Sequence, residues 1–199
     1  FMQLPPLSGL RCCLMRQPEP TDGSDWPRWL RHGYDQLQTQ IVSIEDGCDG
    51  KNAVVDMIAN LGVPGKPPLF SLTLRYEIAI QGAVRLFASL SPLQETALPP
   101  PCFGLCLNPA RTCRDISWYG KGPARSLCRL PGTGATGHYE QALADLARPG
   151  RGPGAFKDVR RLTLRDDSGV GLAITSDHHF AFDVAAAPDL IFGAGLHER

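Results

Sequence analysis

Apolar and polar residues alternate strictly in the middle of the chain. Between Leu72 and Ile80 every second residue is large and apolar, and Thr, Arg, Glu and Ala lie between them. A period of two is typical of a strand with one buried face. The alternation resumes from Val84 to Leu90 after a turn at Gln81-Gly82. The two segments together predict a β-hairpin.

Shorter segments rich in β-branched and aromatic residues predict more strands. They are Leu37–Ile44, Asn52–Ile58, Phe103–Leu107, Asp115–Tyr119, Leu162–Leu164, Gly171–Ile174 and Phe180–Phe182, with turns at Asp46-Gly47 and Asp49-Gly50. Helical periodicity is short: one or two turns capped by Ser24 or Asp25, and one or two turns within Tyr139–Ala147. These patterns predict an all-β fold with a few short helices.

Composition narrows the class of protein. The chain has 199 residues, 43% of them hydrophobic, which is enough to bury a core within one domain. Its 21 Gly and 18 Pro indicate many turns. The net charge is zero, so neither nucleic acid nor an anionic membrane surface is an expected partner. No apolar run approaches the roughly 18 residues of a membrane span.

Seven cysteines are present, and none forms a Cys-x-x-Cys pair. A zinc site built from Cys102, Cys106 and Cys113 would lack a convincing fourth ligand. Reduced, scattered thiols are typical of a cytosolic protein, so we expect a cytoplasmic location and no metal site in this chain.

The segment from Ile116 to Pro123 combines two aromatic residues with a Gly-Lys-Gly-Pro turn. Trp118 and Tyr119 are adjacent in a strand, so they point to opposite faces. We expect one of them to pack inward and the other to be available outside, with the turn residues ending the strand. The sequence Ser117-Trp-Tyr-Gly-Lys-Gly-Pro resembles the Ser-Trp-Tyr-Gly-(basic)-Gly-Pro motif of the C-terminal "small chain" module of glycoside hydrolase family 2 β-galactosidases.

Other motifs extend the resemblance over residues 18–199. They are the loop from Pro20 to Trp26, Gly33-Tyr34, Gly104 to Pro109, Asp158-Val-Arg160, the Leu-x-Leu-x-Asp-x-x-Gly-x-Gly-Leu segment from Leu162, Phe180-Ala-Phe182, Asp189-Leu190 and the His197-Glu198 tail. The sequence departs from the family pattern at 124–130, where carboxylates and a Tyr are missing, and at 152–155.

The resemblance implies a β-supersandwich that is similar to galactose mutarotase. It places a boundary or linker at residues 1–17 and the module at 18–199, truncated at its C-terminus. It implies a retaining enzyme that hydrolyses terminal non-reducing β-D-galactose, as in lactose, with two catalytic Glu on an upstream TIM barrel. None of the six Glu of this chain follows an Asn, so we predict no catalytic residue here. The whole enzyme is expected to use Mg²⁺ and Na⁺, held mostly by the barrel, and to form a homo-oligomer.

For substrate binding the resemblance points to four residues. Asp22 and Asp25 lie in the loop near the sugar site of the neighbouring barrel, and Trp118 and Tyr119 offer rings that stack on a sugar. Helix capping is the competing role for the two Asp, and core packing is the competing role for Trp118.

Two alternatives remain open at the level of sequence. One is a stand-alone carbohydrate-binding or structural module without catalysis, suggested by the altered loops. The other is an aldose epimerase, which needs a His and a Glu in one concave site; His138, Glu140 and His178 are the candidates.

Overall fold

The computed structural model describes residues 8–108, 113–147, 153–184 and 190–193. The predicted motif positions Pro109, Asp189 and His197-Glu198, and Gly152 of the altered loop 152–155, lie outside the described residues. Within the described part of the chain, no helix is long and apolar enough to cross a membrane.

Strands make up most of the described structure. In chain order they are β1 (Ser8–Cys13), β2 (Gln38–Asp49), β3 (Asn52–Gly62), β4 (Phe70–Ala79), β5 (Val84–Pro92), β6 (Gly104–Asn108), β7 (Cys113–Gly122), β8 (Ala135–Ala142), β9 (Phe156–Asp166), β10 (Gly171–Val184) and β11 (Leu190–Gly193). The helices are α1 (Asp25–Arg31), α2 (Leu143–Leu146) and two 3-10 helices, Pro20–Asp22 and Tyr34–Gln36. The predicted all-β class with short helices is confirmed.

The chain divides into two compact units. The first comprises residues 1–26 and 101–199, and the second comprises residues 27–100. The first unit contains a seven-stranded sheet in the order β1-β6-β11-β10-β9-β7-β8, and its pairs are antiparallel. The strand β1 lies in the segment that the sequence assigned to a boundary. The predicted division into a linker at residues 1–17 and a module at residues 18–199 stays a prediction.

One face of the seven-stranded sheet carries the core of the first unit. The core comprises Leu107, Ile116, Trp118, Leu143, Leu146, Phe156, Val159, Leu162, Leu164, Phe180, Phe182 and Val184. Alternation along β7 and β9 places Ile116, Trp118, Leu162 and Leu164 on this face. The sequence patterns of both strands are therefore explained by burial on one side.

The second unit is an antiparallel meander in the order β2-β3-β4-β5. The predicted hairpin is confirmed, since β4 pairs with β5 from Phe70↔Pro92 to Ile78↔Val84. On the apolar face, Leu72 and Leu74 are buried, whereas Ile80 lies beyond the end of β4 and is 88% exposed.

Helical residues also contribute to the core of the second unit. Tyr34 contacts the edge of the Phe70 ring, with the centroids 5.9 Å apart. The hydroxyl of Tyr34 donates to the carbonyl of Leu98 at 2.6 Å, and the indole N–H of Trp29 donates to the carbonyl of Pro99 at 2.9 Å. These bonds attach α1 and the second 3-10 helix to the 98–99 segment.

Three of the predicted limits of turns, helices and strands are wrong. Asp46-Gly47 is not a turn, because β2 continues to Asp49 and Gly47 pairs with Val54. Residues 139–142 are not helical, because they extend β8 alongside β7; the helix begins only at Leu143. The strand β7 also continues beyond Tyr119 to Gly122, because Gly120 and Gly122 still pair with β8.

Candidate functional site

Trp118 lies on the inner face of β7, with 2% of its surface exposed. Its ring centroid is 4.6 Å from that of Phe156 and 5.4 Å from those of Phe182 and Tyr139. The indole N–H donates to the carbonyl of Lys121 at 3.0 Å, so the polar group of the side chain is satisfied inside the core. In this position the ring packs and has no face open for a sugar.

The two glycines that follow Tyr119 allow close approaches across the sheet. A Cβ atom at Gly120 would lie 2.8 Å from the Cα of Val159 and 3.0 Å from the carbonyl oxygen of Asp158. A Cβ atom at Gly122 would lie 2.8 Å from the ring of Tyr139. The Gly-Lys-Gly sequence therefore lets β9 and an aromatic ring pack directly against the backbone of β7.

Tyr119 lies on the opposite, outer face of β7 and is half-buried. Its ring stacks on His138 of β8 at 4.6 Å, and the guanidinium carbon of Arg160 on β9 lies 5.5 Å from its centroid. The Nε of Arg160 donates to Nε2 of His179 on β10 at 2.9 Å. We call these four residues the outer-face row. The prediction that one aromatic packs inward and the other faces outward is confirmed.

The outer-face row joins four neighbouring strands through side chains. The row combines the aromatic ring and hydroxyl of Tyr119 with the guanidinium of Arg160 and the imidazoles of His138 and His179. Such a mixture suits a ligand with both apolar and hydroxyl-bearing faces, because stacking and hydrogen bonding are available together.

The residues suggested for epimerase chemistry are distributed over this sheet. His138 and Glu140 lie two residues apart on the outer face of β8, whereas His178 is in β10. Two strands, β7 and β9, separate β8 from β10. Strand spacing puts the two backbones about 14 Å apart, so the fold does not bring the His178 backbone close to that of Glu140.

Asp22 ends the first 3-10 helix and is buried, with 2% exposed. Arg16 donates to both of its carboxylate oxygens, at 2.9 and 2.5 Å, and the backbone N–H of Glu19 donates to Oδ2 at 2.7 Å. Burial alone would raise the pKa of Asp22, but the hydrogen bonds from Arg16 and Glu19 outweigh it and hold the pKa below its ordinary value. Asp22 thus forms a capping box with Glu19, which is the role that competes with sugar binding.

Asp25 and Glu19 attach the same segment to the altered loop at 124–130. The Oδ2 of Asp25 accepts from Nη2 of Arg129 at 2.7 Å, and Arg129 also donates to the carbonyl of Thr21 at 3.2 Å. Both carboxylate oxygens of Glu19 lie 2.9 Å from the backbone N of Cys128, which donates to them. Polar contacts within the protein therefore occupy the loop that lacks the family's carboxylates.

Lys157 on β9 also binds the altered loop at 124–130. Its ammonium donates to the carbonyls of Leu127 at 2.7 Å and Cys128 at 2.6 Å, and also to that of Leu130. Burial lowers the pKa of Lys157, although Cys128, Glu19 and Asp158 act against that shift. The ammonium takes three backbone carbonyls as acceptors and so fixes the shape of the 127–130 loop.

Several of these residues are not identified by sequence patterns. Arg16 lies in the segment assigned to a boundary, and Lys157 has no periodic or motif signal. Arg160 belongs to the Asp158-Val-Arg160 motif, but that motif does not indicate its contacts with Tyr119 and His179. Glu19 and Asp22 do have one, since their spacing of three is that of a capping box.

The cysteines are free thiols. Burial raises the pKa of Cys12 to about 12, with a smaller contribution from Cys13. Among the described residues there is no group of three or more His, Cys, Asp or Glu side chains that could hold a metal ion.

Comparison with known families identifies a matching family. The sequence model of the family described as beta galactosidase small chain matches residues 2–191. The chain belongs to the beta galactosidase small chain family. A search of curated proteins finds no match. The small-chain match spans both units and includes β1, Arg16 and the whole outer-face row. A small chain of a beta-galactosidase belongs with a larger catalytic part.

Proposed function

We propose that this chain is the C-terminal, non-catalytic module of a family 2 β-galactosidase with a galactose mutarotase-like fold. The enzyme hydrolyses terminal non-reducing β-D-galactose, as in lactose, with retention of configuration. The family match over residues 2–191 is the observation that carries the proposal. The catalytic Glu pair belongs to a TIM barrel outside this sequence.

The described glutamates support a catalytic pair that lies outside this sequence. Retention needs two carboxyl groups about 5 Å apart. Among the described residues of the first unit, the two Glu are Glu140 and Glu19, and Glu19 is buried and bonded to Cys128. In the second unit, Glu77 accepts from Arg75 at 3.3 Å. Of these described glutamates, Glu19 and Glu77 are thus engaged in contacts within the protein, and Glu140 is exposed on β8.

The four predicted substrate-binding residues take different roles in this proposal. Tyr119 and its outer-face row contact the galactoside, and Asp25, which accepts from Arg129 at 2.7 Å, contributes from the loop between Pro20 and Trp26. Asp22 and Trp118 act as positioning residues: Asp22 holds the 19–25 segment, and Trp118 holds β7 from the core side.

The ions and assembly of the whole enzyme complete the proposal. As the resemblance implies, Mg²⁺ and Na⁺ would be held mostly by the catalytic part. We infer a cytoplasmic homo-oligomer in which this module joins the barrel.

Product stereochemistry in the intact enzyme tests the reaction. NMR of the first-formed sugar is expected to show β-galactose from a β-galactoside. The rate of glucose release from the matching β-glucoside is expected to be far lower. An α-anomer as first product, or no hydrolysis of any β-galactoside, would overturn the proposed function.

The role of Tyr119 is tested separately by Tyr119→Ala. Loss of a stacked ring is expected to raise KM about 5- to 10-fold, equivalent to about 1–1.4 kcal/mol, while Tyr119→Phe retains most of the affinity. Thr136→Ala, at an exposed position of β8 outside the row, is the control. A KM that is unchanged in Tyr119→Ala would remove Tyr119 from the sugar site and leave the reaction unaffected.

A further inference from the structure

The second unit contains a cavity of about 210 Å³ that no predicted role uses. Its polar lining consists of Arg31, His32, Lys66, Gln94 and Thr96, and Val63 lies among its apolar residues. This volume is below the roughly 300–1,000 Å³ of pockets that enclose drug-sized ligands, so the cavity suits one small group.

A rigid turn forms one side of the cavity. Val63 to Lys66 is a type II turn, with Pro64 at the second position and Gly65 at φ 76° at the third. The N–H of Lys66 donates to the carbonyl of Val63 at 3.0 Å, which closes the turn. The conformation of both central residues is set by residue type, so Lys66 projects from a preorganised backbone.

The chain after the turn is attached to the 93–97 segment. The side-chain amide of Gln94 donates to the carbonyls of Pro67 at 3.1 Å and Pro68 at 2.9 Å, and the N–H of Leu93 donates to the carbonyl of Leu69 at 2.8 Å. Gln94 is therefore held in place and forms part of the floor beside Thr96.

The end of α1 also lines the cavity. Gly33 takes the left-handed conformation, φ 77°, directly after Arg31 and His32. A Cβ atom there would lie 2.7 Å from Cγ2 of Val63. The absence of a side chain at Gly33 thus lets the helix end pack against the turn, which brings Arg31 and His32 to the same cavity as Lys66.

The formal charges among the lining residues of the cavity are all positive. Arg31 and Lys66 carry two positive charges, His32 adds an imidazole, and no Asp or Glu is among the lining residues. Within the described part of the chain, neither the Arg31 nor the Lys66 side chain forms an ion pair or hydrogen bond. Two like charges facing one half-enclosed space attract an anion, because the anion relieves their mutual repulsion.

We propose that this cavity binds the oxyanion of a small molecule, a phosphate or carboxylate group, between Arg31, His32 and Lys66. The hydroxyl of Thr96 completes the donor set. The proposal does not depend on galactoside hydrolysis, because the site lies in the second unit and uses none of the residues assigned to the sugar.

Calorimetric titration of the full chain with inorganic phosphate tests the site directly. Parallel titrations with galacturonate and with a hexose 6-phosphate distinguish a carboxylate from a free phosphate and from a sugar-borne phosphate. Binding is expected to weaken as NaCl is raised, because the contacts are between exposed charges. Arg31→Gln and Lys66→Met are each expected to weaken it about tenfold, which is the loss of one charge-assisted hydrogen bond.

Lys51→Met is the matched control. Lys51 is an exposed lysine at the β2–β3 turn, outside the cavity, and the substitution removes the same charge. Arg31 and Lys66 are exposed as well, so their variants are expected to keep the far-ultraviolet circular dichroism of the parent chain. Failure of all three anions to bind, or equal weakening by Lys51→Met, would overturn the proposal.

Discussion

The pair of Arg16 and Asp22 shows how a charged residue is kept inside this protein. Both side chains are largely removed from water, with 13% and 1% exposed. Removing two charges from water is costly, and the cost is offset only where geometry is good and the remaining lone pairs are used. Two bonds from Arg16 and one from the Glu19 N–H meet that condition for the Asp22 carboxylate. The buried Nε of Arg16 has no hydrogen-bond partner within the described part of the chain.

We therefore expect Asp22→Asn to destabilise the chain by about 2–3 kcal/mol at pH 7, because it removes the charge that Arg16 requires. Urea unfolding measures this free energy. Asp177→Asn changes an exposed carboxyl group of the same unit and is expected to stay within about 0.5 kcal/mol of the parent.

The pH dependence of the same variant follows from the lowered pKa of Asp22. A carboxyl group with a lowered folded-state pKa stabilises the fold above its ordinary pKa of 3.8, and this stabilisation is lost as the pH falls through the folded-state value. The difference in unfolding free energy between the parent and Asp22→Asn is thus expected to narrow below pH 3.8. A difference that stays constant down to pH 2 would contradict this account of the pair.

At the scale of elements, the packing of β7 against β9 depends on glycine. The strand carries Trp118 into the core and Tyr119 out of it, and it can lie close to Val159 only because Gly120 has no side chain. Trp118 and Gly120 of the motif are thus explained by sheet packing.

Gly120→Ala is expected to destabilise the chain by about 1–3 kcal/mol, because the new methyl group meets backbone atoms of β9 that cannot rotate away. Thermal unfolding followed by circular dichroism measures the effect. Gly137→Ala on β8 is the control, since its Cβ would lie at an ordinary 3.5 Å from Tyr139. Equal stability of the two variants would show that β9 moves freely and would contradict the packing argument.

The elements that could be predicted from the sequence are those whose signal is local. Period-two alternation located the β4–β5 hairpin and the opposite directions of Trp118 and Tyr119. The signal failed at Asp46-Gly47 and at Tyr139–Ala142, where pairing with a neighbouring strand overrides local turn and helix preference. The bond from Cys128 to Glu19 joins residues 109 positions apart, and nothing local in either segment indicates it.

At the scale of the whole molecule, the second unit exposes part of an apolar sheet face. Cross-strand register puts Ile41, Ile44, Ile78 and Val84 on the same face as the buried Leu72 and Leu74. These four side chains are 39–56% exposed. Exposed apolar residues next to the edge strands β2 and β5 favour association with other chains.

We expect the isolated chain to self-associate and Ile44→Lys to reduce the association. Light scattering coupled to size-exclusion chromatography measures the mass over a range of concentrations. Thr73→Lys adds the same charge at an exposed position on the opposite face of the sheet and is expected to leave the association unchanged. A monomeric parent chain at high concentration, or an equal effect of both variants, would contradict the role of the apolar face.

The central claim is that this small chain completes a β-galactosidase without performing the chemistry. The most direct measurement is hydrolysis of a chromogenic β-galactoside by the 199-residue chain alone and by the chain joined to its catalytic part. The account predicts activity in the joined form and none in the chain alone. Turnover by the chain alone would place a catalytic pair within these residues, and an inactive joined form would make the chain a binding or structural module.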